Sequence, residues 1–227
     1  MATWDLRLVP EQHFVRTGPV DHADWNHRQG VLGFISRQRF RLACDLLGDR
    51  HYDRMLEVGY GSGVFMPELA RRCDELHGVD VHSRSGEVAY RLFELGVSAT
   101  LLQASAADLP YDDESFDCIV AISALEFFPN LDAACVQMRR VLKRDGIVVA
   151  VTPADSPAID FGLKLLTGAD AREDYGERRA SVIPTLARHF AVEAFETFPA
   201  RWIPSPRLYR ALRLAKPPAL AFSTPRR

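Results

Sequence analysis

Three closely spaced glycines mark a place where the backbone could contact a ligand. Gly59, Gly61 and Gly63 stand at the end of the strand-like run 54–59 and before a segment of helical pattern. Glycines in such a turn lack the Cβ atoms that would block a ligand, and a helix N-terminus offers N–H groups to a carboxylate or phosphate. The segment therefore predicts a site for a nucleotide or a nucleoside, and it leaves the class of that ligand open.

Two further features narrow the class of ligand. The dinucleotide fingerprint GxGxxG would place its third glycine where this chain has Val64, and the Gly-Lys pair of triphosphate-binding loops is missing from the sequence. Asp80 follows at the predicted end of the next strand, where a carboxylate can accept both hydroxyls of a ribose. Its alternative role is to cap the following helix. Ribose binding is favoured, whereas a nicotinamide oxidoreductase is a disfavoured alternative.

Strand-like and helical segments alternate over residues 53–152, as expected of βαβ units around a mostly parallel sheet. Ser83 and Asn130 are predicted to cap two of the helices, and Gly96 to end the first of them. Segment 207–216 fits either a last strand or a basic amphipathic helix, and the strand is favoured. The other predicted strands cover residues 54–59, 76–81, 97–103, 116–121, 146–152 and 190–198, and a long helix covers 30–47.

Length and composition fit one α/β domain. The chain has 227 residues, of which 47% are hydrophobic and 26% are charged, and no apolar run approaches the ~20 residues of a membrane span. The N-terminus lacks the pattern of a secretory signal, so a cytoplasmic location is expected. The four cysteines do not have the spacing of a metal site; we expect them to be reduced and buried, and we expect no metal.

The charge is small overall but unevenly distributed. A formal net charge of −2 disfavours binding to nucleic acid. No acidic residue follows Glu196, whereas seven basic residues do: Arg201, Arg207, Arg210, Arg213, Lys216, Arg226 and Arg227. This basic C-terminal tail is expected either to be a solvated face or to contact an anionic lipid surface or a phosphorylated substrate. The assembly is expected to be a monomer or a homodimer.

Five motifs in a fixed order carry a resemblance to a known family. They occupy residues 57–63, 78–80, 108–111, 115–117 and 138–146. Together they resemble the class I S-adenosylmethionine-dependent methyltransferases, and more narrowly the small-molecule branch that includes the ubiquinone and menaquinone biosynthesis methyltransferases.

The resemblance implies a fold and a domain organisation. The expected fold is a Rossmann-like three-layer α/β sandwich whose seven-stranded, mostly parallel sheet has the order 3-2-1-4-5-7-6, with the last strand antiparallel. An N-terminal helical cap is expected at residues 1–50, followed by the methyltransferase domain at 51–227 with an insertion at about 153–181.

The resemblance also implies a binding site for S-adenosylmethionine and its product S-adenosylhomocysteine. Glu57 and the glycines would shape the methionine and ribose end, and Asp80 would bind the ribose diol. Ser105 stands where the family usually has an acidic residue or Asn, so adenine is expected to depend more on backbone N–H groups and apolar walls. The full expected set is Glu57, Gly59, Tyr60, Gly61, Gly63, Asp80, Val81, Ser105, Ala106, Ile122 and Ser123.

The sequence gives few candidates for the residues that would bind the acceptor or remove its proton. Residues 122–128 resemble the family's segment that faces the transferable methyl group. The family commonly has a His directly after the Glu of this segment, and this chain has Phe127 there. Glu126 and His27 remain as candidate bases, and each could equally have a structural role. A sulfonium is an activated methyl donor, so positioning alone can supply much of the catalysis. The expected acceptor-lining residues, which could also be packing residues, are Trp25, Phe34, Phe127, Phe161 and Tyr175.

The sequence therefore predicts methyl transfer to an O, N or activated C atom of a small organic acceptor. Methylation of RNA or protein is an alternative that the charge disfavours. A second alternative is a regulatory or binding relative that keeps the cofactor pocket without catalysis, motivated by Phe127 and Ser105. The acceptor and the methylated atom stay open.

Overall fold

The computed structural model describes residues 6–18, 23–154 and 178–217. The strands in this part of the chain are β1 Tyr52–Val58, β2 Cys73–Asp80, β3 Thr100–Gln103, β4 Phe116–Ile122, β5 Leu142–Pro153, β6 Ala191–Phe198 and β7 Tyr209–Ala215. They form one sheet of order β3-β2-β1-β4-β5-β7-β6. The first five strands are parallel, and β7 is antiparallel to both β5 and β6. The predicted fold class and strand order are confirmed.

Five α-helices are described around this sheet. They are α1 Val31–Leu47, α2 Met66–Leu69, α3 Ser85–Glu94, α4 Leu131–Val141 and α5 Arg178–His189. Short 3-10 helices occupy Glu11–His13, Ala23–His27 and Leu125–Phe127.

Two hydrophobic clusters cover the two faces of the sheet. Phe40 of α1 packs with Val149 on the face that also carries α2 and α3, whereas Met138 of α4 and Leu186 of α5 pack with Val148 on the other face. Consecutive strand residues point to opposite faces, so both neighbours in β5 are buried. Strands that are covered on both faces consist of nearly continuous apolar residues, and for this reason their positions could be predicted from the sequence.

The predicted strands are all present, but several boundaries differ from the prediction. β2 begins at Cys73 rather than at 76, and β3 begins at Thr100 rather than at 97. Asn130 caps α4 through its Oδ1, which accepts from the N–H of Ala133 at 3.0 Å, and Gly96 follows α3 with φ of +73°. The prediction that Ser83 caps the helix is wrong, because α3 begins at Ser85 without a side-chain cap bond. β5 begins at Leu142 rather than at 146, since Leu142 already pairs with Phe116 of β4.

Segment 207–216 is a strand over Tyr209–Ala215, as favoured. Most of the expected insertion, residues 155–177, lies outside the described residues, and Phe161 and Tyr175 lie there with it. The division into a cap and a methyltransferase domain at residue 50 stays a prediction.

Helix α1 runs antiparallel to the central strands. At its start the ring of Phe34 packs against Phe198, with centroids 5.9 Å apart, near the carboxyl ends of the parallel strands. At its end the Leu47 carbonyl accepts from the hydroxyl of Tyr52, the first residue of β1. The helix therefore runs from the carboxyl ends of the parallel strands to their amino ends, and its residues Arg39 and Phe40 line the cavity described below.

The four cysteines have the environment that the sequence predicted. The thiols of Cys44, Cys73, Cys118 and Cys135 are free and buried, as predicted, and burial raises the pKa of the Cys44 thiol to about 12. Among the described residues no helix has the length and apolar character needed to cross a membrane. The same residues contain no group of His, Cys, Asp or Glu arranged to hold a metal ion.

Candidate functional site

A cavity of about 430 Å³ lies at the carboxyl ends of β1, β2 and β4. This volume is within the range of pockets that bind small molecules and cofactors. Its wall includes every residue of the predicted cofactor set except Gly63, namely Glu57, Gly59, Tyr60, Gly61, Asp80, Val81, Ser105, Ala106, Ile122 and Ser123. The predicted set is thus brought together in one place.

The glycine turn has the backbone that the sequence predicted. Gly59, Gly61 and Gly63 have φ of +77°, +51° and +69°, a region that other residues rarely adopt. A Cβ atom on Gly59 would lie 2.4 Å from the Cβ of Ala124, so no side chain fits there. A Cβ atom on Gly63 would instead approach Val88 of α3, which explains why Gly63 serves helix packing and does not line the cavity.

Asp80 and His82 hold this turn from the end of β2. The Asp80 carboxylate accepts from the N–H of Gly61 at 2.8 Å and from the N–H of His82 at 3.3 Å. The Nδ1 of His82 lies 3.1 Å from the N–H of Arg84, and its Nε2 lies 2.9 Å from the carbonyl of Gly61. Because the Arg84 amide only donates, Nδ1 is the acceptor and Nε2 carries the proton. His82 was missed in the sequence, where it follows Asp80 without any recognised motif.

Glu57 is a buried carboxylic acid with an unused oxygen. Its side chain is 4% exposed, and its Oε2 has no hydrogen-bond partner within the described part of the chain. Burial, and next the negative charge of Asp80, raise the pKa of Glu57 to about 8, while Arg39 opposes the shift. A ligand with a positively charged group fits this arrangement, because it would satisfy the free oxygen and favour the ionised carboxylate.

Arg39 is the second unforeseen residue of the cavity. No motif in the sequence marks Arg39 of α1, yet it lines the cavity near Glu57. Its Nε is buried and makes no hydrogen bond to the described residues. The cavity wall thus presents a carboxyl group and a guanidinium group of opposite formal charge.

The glycine turn and Asp80 both lie within one continuous stretch of the sequence that matches a known family. A family model described as a methyltransferase domain matches residues 56–150. Residues 56–150 thus belong to this family of methyltransferase domains. The predicted resemblance is confirmed, and with it S-adenosylmethionine as the methyl donor that this domain family uses. Arg39 and β7 lie outside the matched residues.

Known proteins that resemble this methyltransferase domain agree with the assignment. A demethylmenaquinone methyltransferase of Tropheryma whipplei (strain Twist) is 30% identical over 120 residues, which is 52% of this chain and 50% of that protein. A ubiquinone/menaquinone biosynthesis C-methyltransferase of Haemophilus ducreyi is 34% identical over 131 residues, covering 55% of this chain and 51% of the relative. The chain spans about half the length of the curated relatives that it matches.

Solved structures show the same fold. The N-methyltransferase NodS of Bradyrhizobium japonicum WM9, in complex with S-adenosyl-L-homocysteine, superposes with a TM-score of 0.61 at 19% identity. That alignment covers 87% of this chain and 94% of the solved chain. The similarity extends beyond the matched family region and supports the whole seven-stranded architecture.

At the expected adenine end of the methyltransferase domain, the turn after β3 is held by its own bonds. The Ala104 amide donates to the Asp80 carbonyl at 2.9 Å, and the Ser105 hydroxyl accepts from the Ala107 amide at 3.2 Å. Ser105 therefore shapes the turn, while Val81 is 70% exposed and available as an apolar wall. The expectation that backbone and apolar contacts carry more of the adenine binding stays a prediction.

At the opposite end, Ser123 has the strained backbone that functional sites often contain. Its φ is +51°, and its amide donates to the carbonyl of Val151 at 2.7 Å. The Ser123 hydroxyl is buried without a hydrogen-bond partner among the described residues, and it lines the cavity together with Phe127. This part of the wall faces the end where a methyl group would be presented.

Neither of the two candidate bases, Glu126 and His27, lines the cavity. Glu126 is completely buried, and its Oε2 is 3.5 Å from the hydroxyl of Thr152. Burial raises the pKa of Glu126 to about 7. His27 packs edge-on against Phe14, with ring centroids 4.9 Å apart. Their catalytic roles stay predictions.

The expected acceptor residues are only partly brought together. Phe127 lines the cavity, whereas Trp25 and Phe34 do not. Phe34 instead packs on Phe198 and is 46% exposed. Contact of Trp25 and Phe34 with an acceptor therefore stays a prediction.

Replacing His82 by Ala is expected to weaken S-adenosylhomocysteine binding about five- to tenfold. The substitution removes the bond to the Gly61 carbonyl, and one neutral hydrogen bond is worth about 0.5–1.5 kcal/mol. Calorimetric titration measures the effect. His51→Ala is the matched control, because His51 bonds Asp74 at the far end of β2. Equal affinities for the two variants would contradict a role for His82 in holding the turn.

Proposed function

We propose that this protein transfers a methyl group from S-adenosylmethionine to an O, N or activated C atom of a small organic acceptor. The observation that carries the proposal is the meeting of Glu57, the glycine turn and Asp80 in one cavity beside the matched methyltransferase region, with the Glu57 Oε2 lacking a hydrogen-bond partner among the described residues. When bound, the donor supplies a methyl group already activated on a sulfonium.

The chain's own residues would bind the donor by charge. Glu57 would pair with the ammonium group of the methionine portion, and Arg39 would pair with its carboxylate, which explains why a carboxyl group and a guanidinium group line the same cavity. Asp80 would accept hydrogen bonds from the ribose hydroxyls, since each carboxylate oxygen keeps a further acceptor site beside its bond to a backbone amide.

Catalysis would then depend mainly on orientation. Phe127 and Phe128 line the cavity and would exclude water from the reacting atoms. Holding two reactants in line contributes up to ~7–11 kcal/mol, more than a single general base. The two curated relatives described above are named for menaquinone and ubiquinone biosynthesis, and with the apolar wall these names favour a small, largely apolar acceptor.

The proposal includes a cellular setting. A cytoplasmic location is favoured by four free, buried thiols, since secreted proteins tend to use cysteines in disulfides. Monomeric and homodimeric assembly are both compatible with the proposed activity, and sedimentation of the purified protein distinguishes them.

The first test is calorimetric titration with S-adenosylhomocysteine, with NADH as the control ligand. We expect saturable binding of S-adenosylhomocysteine and no binding of NADH. Binding of NADH alone would overturn the assignment in favour of an oxidoreductase, and binding of neither ligand would contradict a preformed donor site.

A second candidate function is binding of the cofactor without catalysis. It is favoured by Phe127, which occupies the cavity wall where the family commonly has a histidine. Transfer of radiolabelled methyl from the donor into an extract of small molecules distinguishes the two functions. Label recovered in RNA or protein instead would favour the remaining alternative, macromolecule methylation.

A further inference from the structure

Trp202 is an indole held out from the protein surface. It is 84% exposed, the highest exposed fraction of any large apolar side chain in the described part of the chain. It lies in the loop 199–208, which connects β6 to β7 at the carboxyl edge of the sheet, the edge at which the cavity lies. Exposing an indole to water is unfavourable, so its placement needs a reason.

The loop around Trp202 is pinned internally. The Arg207 guanidinium donates to the carbonyls of Arg201, Ile203 and Ser205 at 2.7, 2.8 and 2.6 Å. The Leu208 amide closes the loop by donating to the Phe198 carbonyl at 2.7 Å. These bonds order the backbone without using the indole, so Trp202 is presented by a defined loop.

A second element places apolar side chains at the same edge. Val31 and Phe34, in the first turn of α1, are 73% and 46% exposed. The ring of Phe34 contacts Phe198, the last residue of β6 before the loop. We name Trp202, Val31 and Phe34 the edge patch.

The chain around the edge patch is positively charged. Residues 25–34 and 197–210, which are nearest to the edge patch along the chain, contain no Asp or Glu, and Asp24 and Glu196 directly precede these two ranges. Arg201 is exposed next to Trp202, and Arg28 is exposed just before α1. Arg213 and Lys216 of the basic C-terminal tail lie further along β7 and just after it, where they pair with Glu193 and Glu114.

We propose that the edge patch docks on the surface of an anionic lipid bilayer. An exposed indole beside arginines matches the bilayer interface, where the ring enters the headgroup boundary and the cations attract anionic lipids. Docking at this edge would let an acceptor dissolved in the bilayer approach the cavity without crossing water. The proposal stands apart from the proposed function, because lipid binding can be measured without any methyl donor or acceptor.

The structure supplies a matched control surface. Phe93 is 74% exposed near the end of α3, a helix that returns the chain to the opposite edge of the sheet before β3. Its surroundings are of mixed charge, since Arg91 pairs with Glu94 at 2.8 Å. Phe93 therefore has similar exposure without the basic setting.

The test is co-sedimentation of the full chain with vesicles of phosphatidylcholine alone and with vesicles that also contain phosphatidylglycerol. We expect binding only to the anionic vesicles, weakened by added salt. Trp202→Ser should weaken it about tenfold and Arg201→Glu about fivefold or more, whereas Phe93→Ser should not change it. Circular dichroism of each variant checks that the fold is retained.

Three results would overturn the proposal. The first is failure of the protein to sediment with anionic vesicles. The second is equal loss of binding for Phe93→Ser and Trp202→Ser. The third is a change in the monomer–dimer equilibrium of Trp202→Ser with unchanged vesicle binding, which would assign the edge patch to a second copy of this chain.

Discussion

Replacing Asp80 by Ala should weaken S-adenosylhomocysteine binding by about 100-fold or more. The substitution removes the expected acceptor of both ribose hydroxyls, and hydrogen bonds to a charged group are each worth about 1.5–3 kcal/mol. It also frees the amide of Gly61, which Asp80 holds at 2.8 Å. Calorimetric titration of the purified variants measures the loss.

Two comparisons make the Asp80 result specific. Asp80→Asn keeps one acceptor oxygen and should give an intermediate affinity. Asp74→Ala removes an exposed carboxylate at the other end of the same strand and should leave the affinity unchanged. An Asp80→Ala protein that folds and binds with the native affinity would contradict ribose binding at this strand end.

Replacing Glu57 by Gln should weaken S-adenosylhomocysteine binding about 10- to 100-fold at alkaline pH and remove its pH dependence. In the free protein, burial and the charge of Asp80 raise the pKa of Glu57 to about 8. A bound ammonium group favours the ionised carboxylate, so binding near neutral pH releases a proton. Native affinity should rise by at most tenfold per pH unit up to about pH 8 and then level off.

Titrations between about pH 6 and about pH 9 measure this profile. Glu75→Gln, an exposed carboxylate of β2, is the matched control and should keep the native profile. A Glu57→Gln protein with an unchanged pH profile would assign the proton release to another group.

The same pKa shift has the opposite effect on stability. A carboxyl group whose pKa rises from 4.5 to about 8 on folding binds more protons in the folded state between these values. Its contribution to the free energy of unfolding therefore falls as the pH rises from about 4.5 to about 8. Without ligand, Glu57→Gln should lose less stability than the native protein over this window. Raising the pH between about 4.5 and about 8 therefore strengthens donor binding but lowers the stability of the ligand-free protein through this one side chain.

The sequence allowed the sheet to be predicted because its physical causes are local. Strands buried on both faces produce continuous apolar runs, and Gly59 and Asp80 stand at strand ends where parallel chains bring their carboxyl edges together. The Asn130 cap was readable for the same reason, since its bond spans three residues.

The residues that were missed depend on tertiary contacts. Arg39 reaches the cavity because α1 crosses the sheet, and helical periodicity cannot show which exposed turn meets a strand end. His82 holds the glycine turn by donating from Nε2 to the carbonyl of Gly61. No sequence motif predicts this contact. The Ser83 cap failed because α3 begins one residue later than predicted, so that Arg84 stands at the N-cap position without a side-chain cap bond.

The bonds from Asp80 and His82 to Gly61 lie wholly within the protein. The glycine turn therefore has its binding shape before any ligand arrives, and little conformational entropy is lost there on association. Departure of the product likewise needs no reopening of this turn. The residence time of the product then depends on the contacts that the ligand itself makes. A preformed turn would thus favour binding without adding a conformational step to product release.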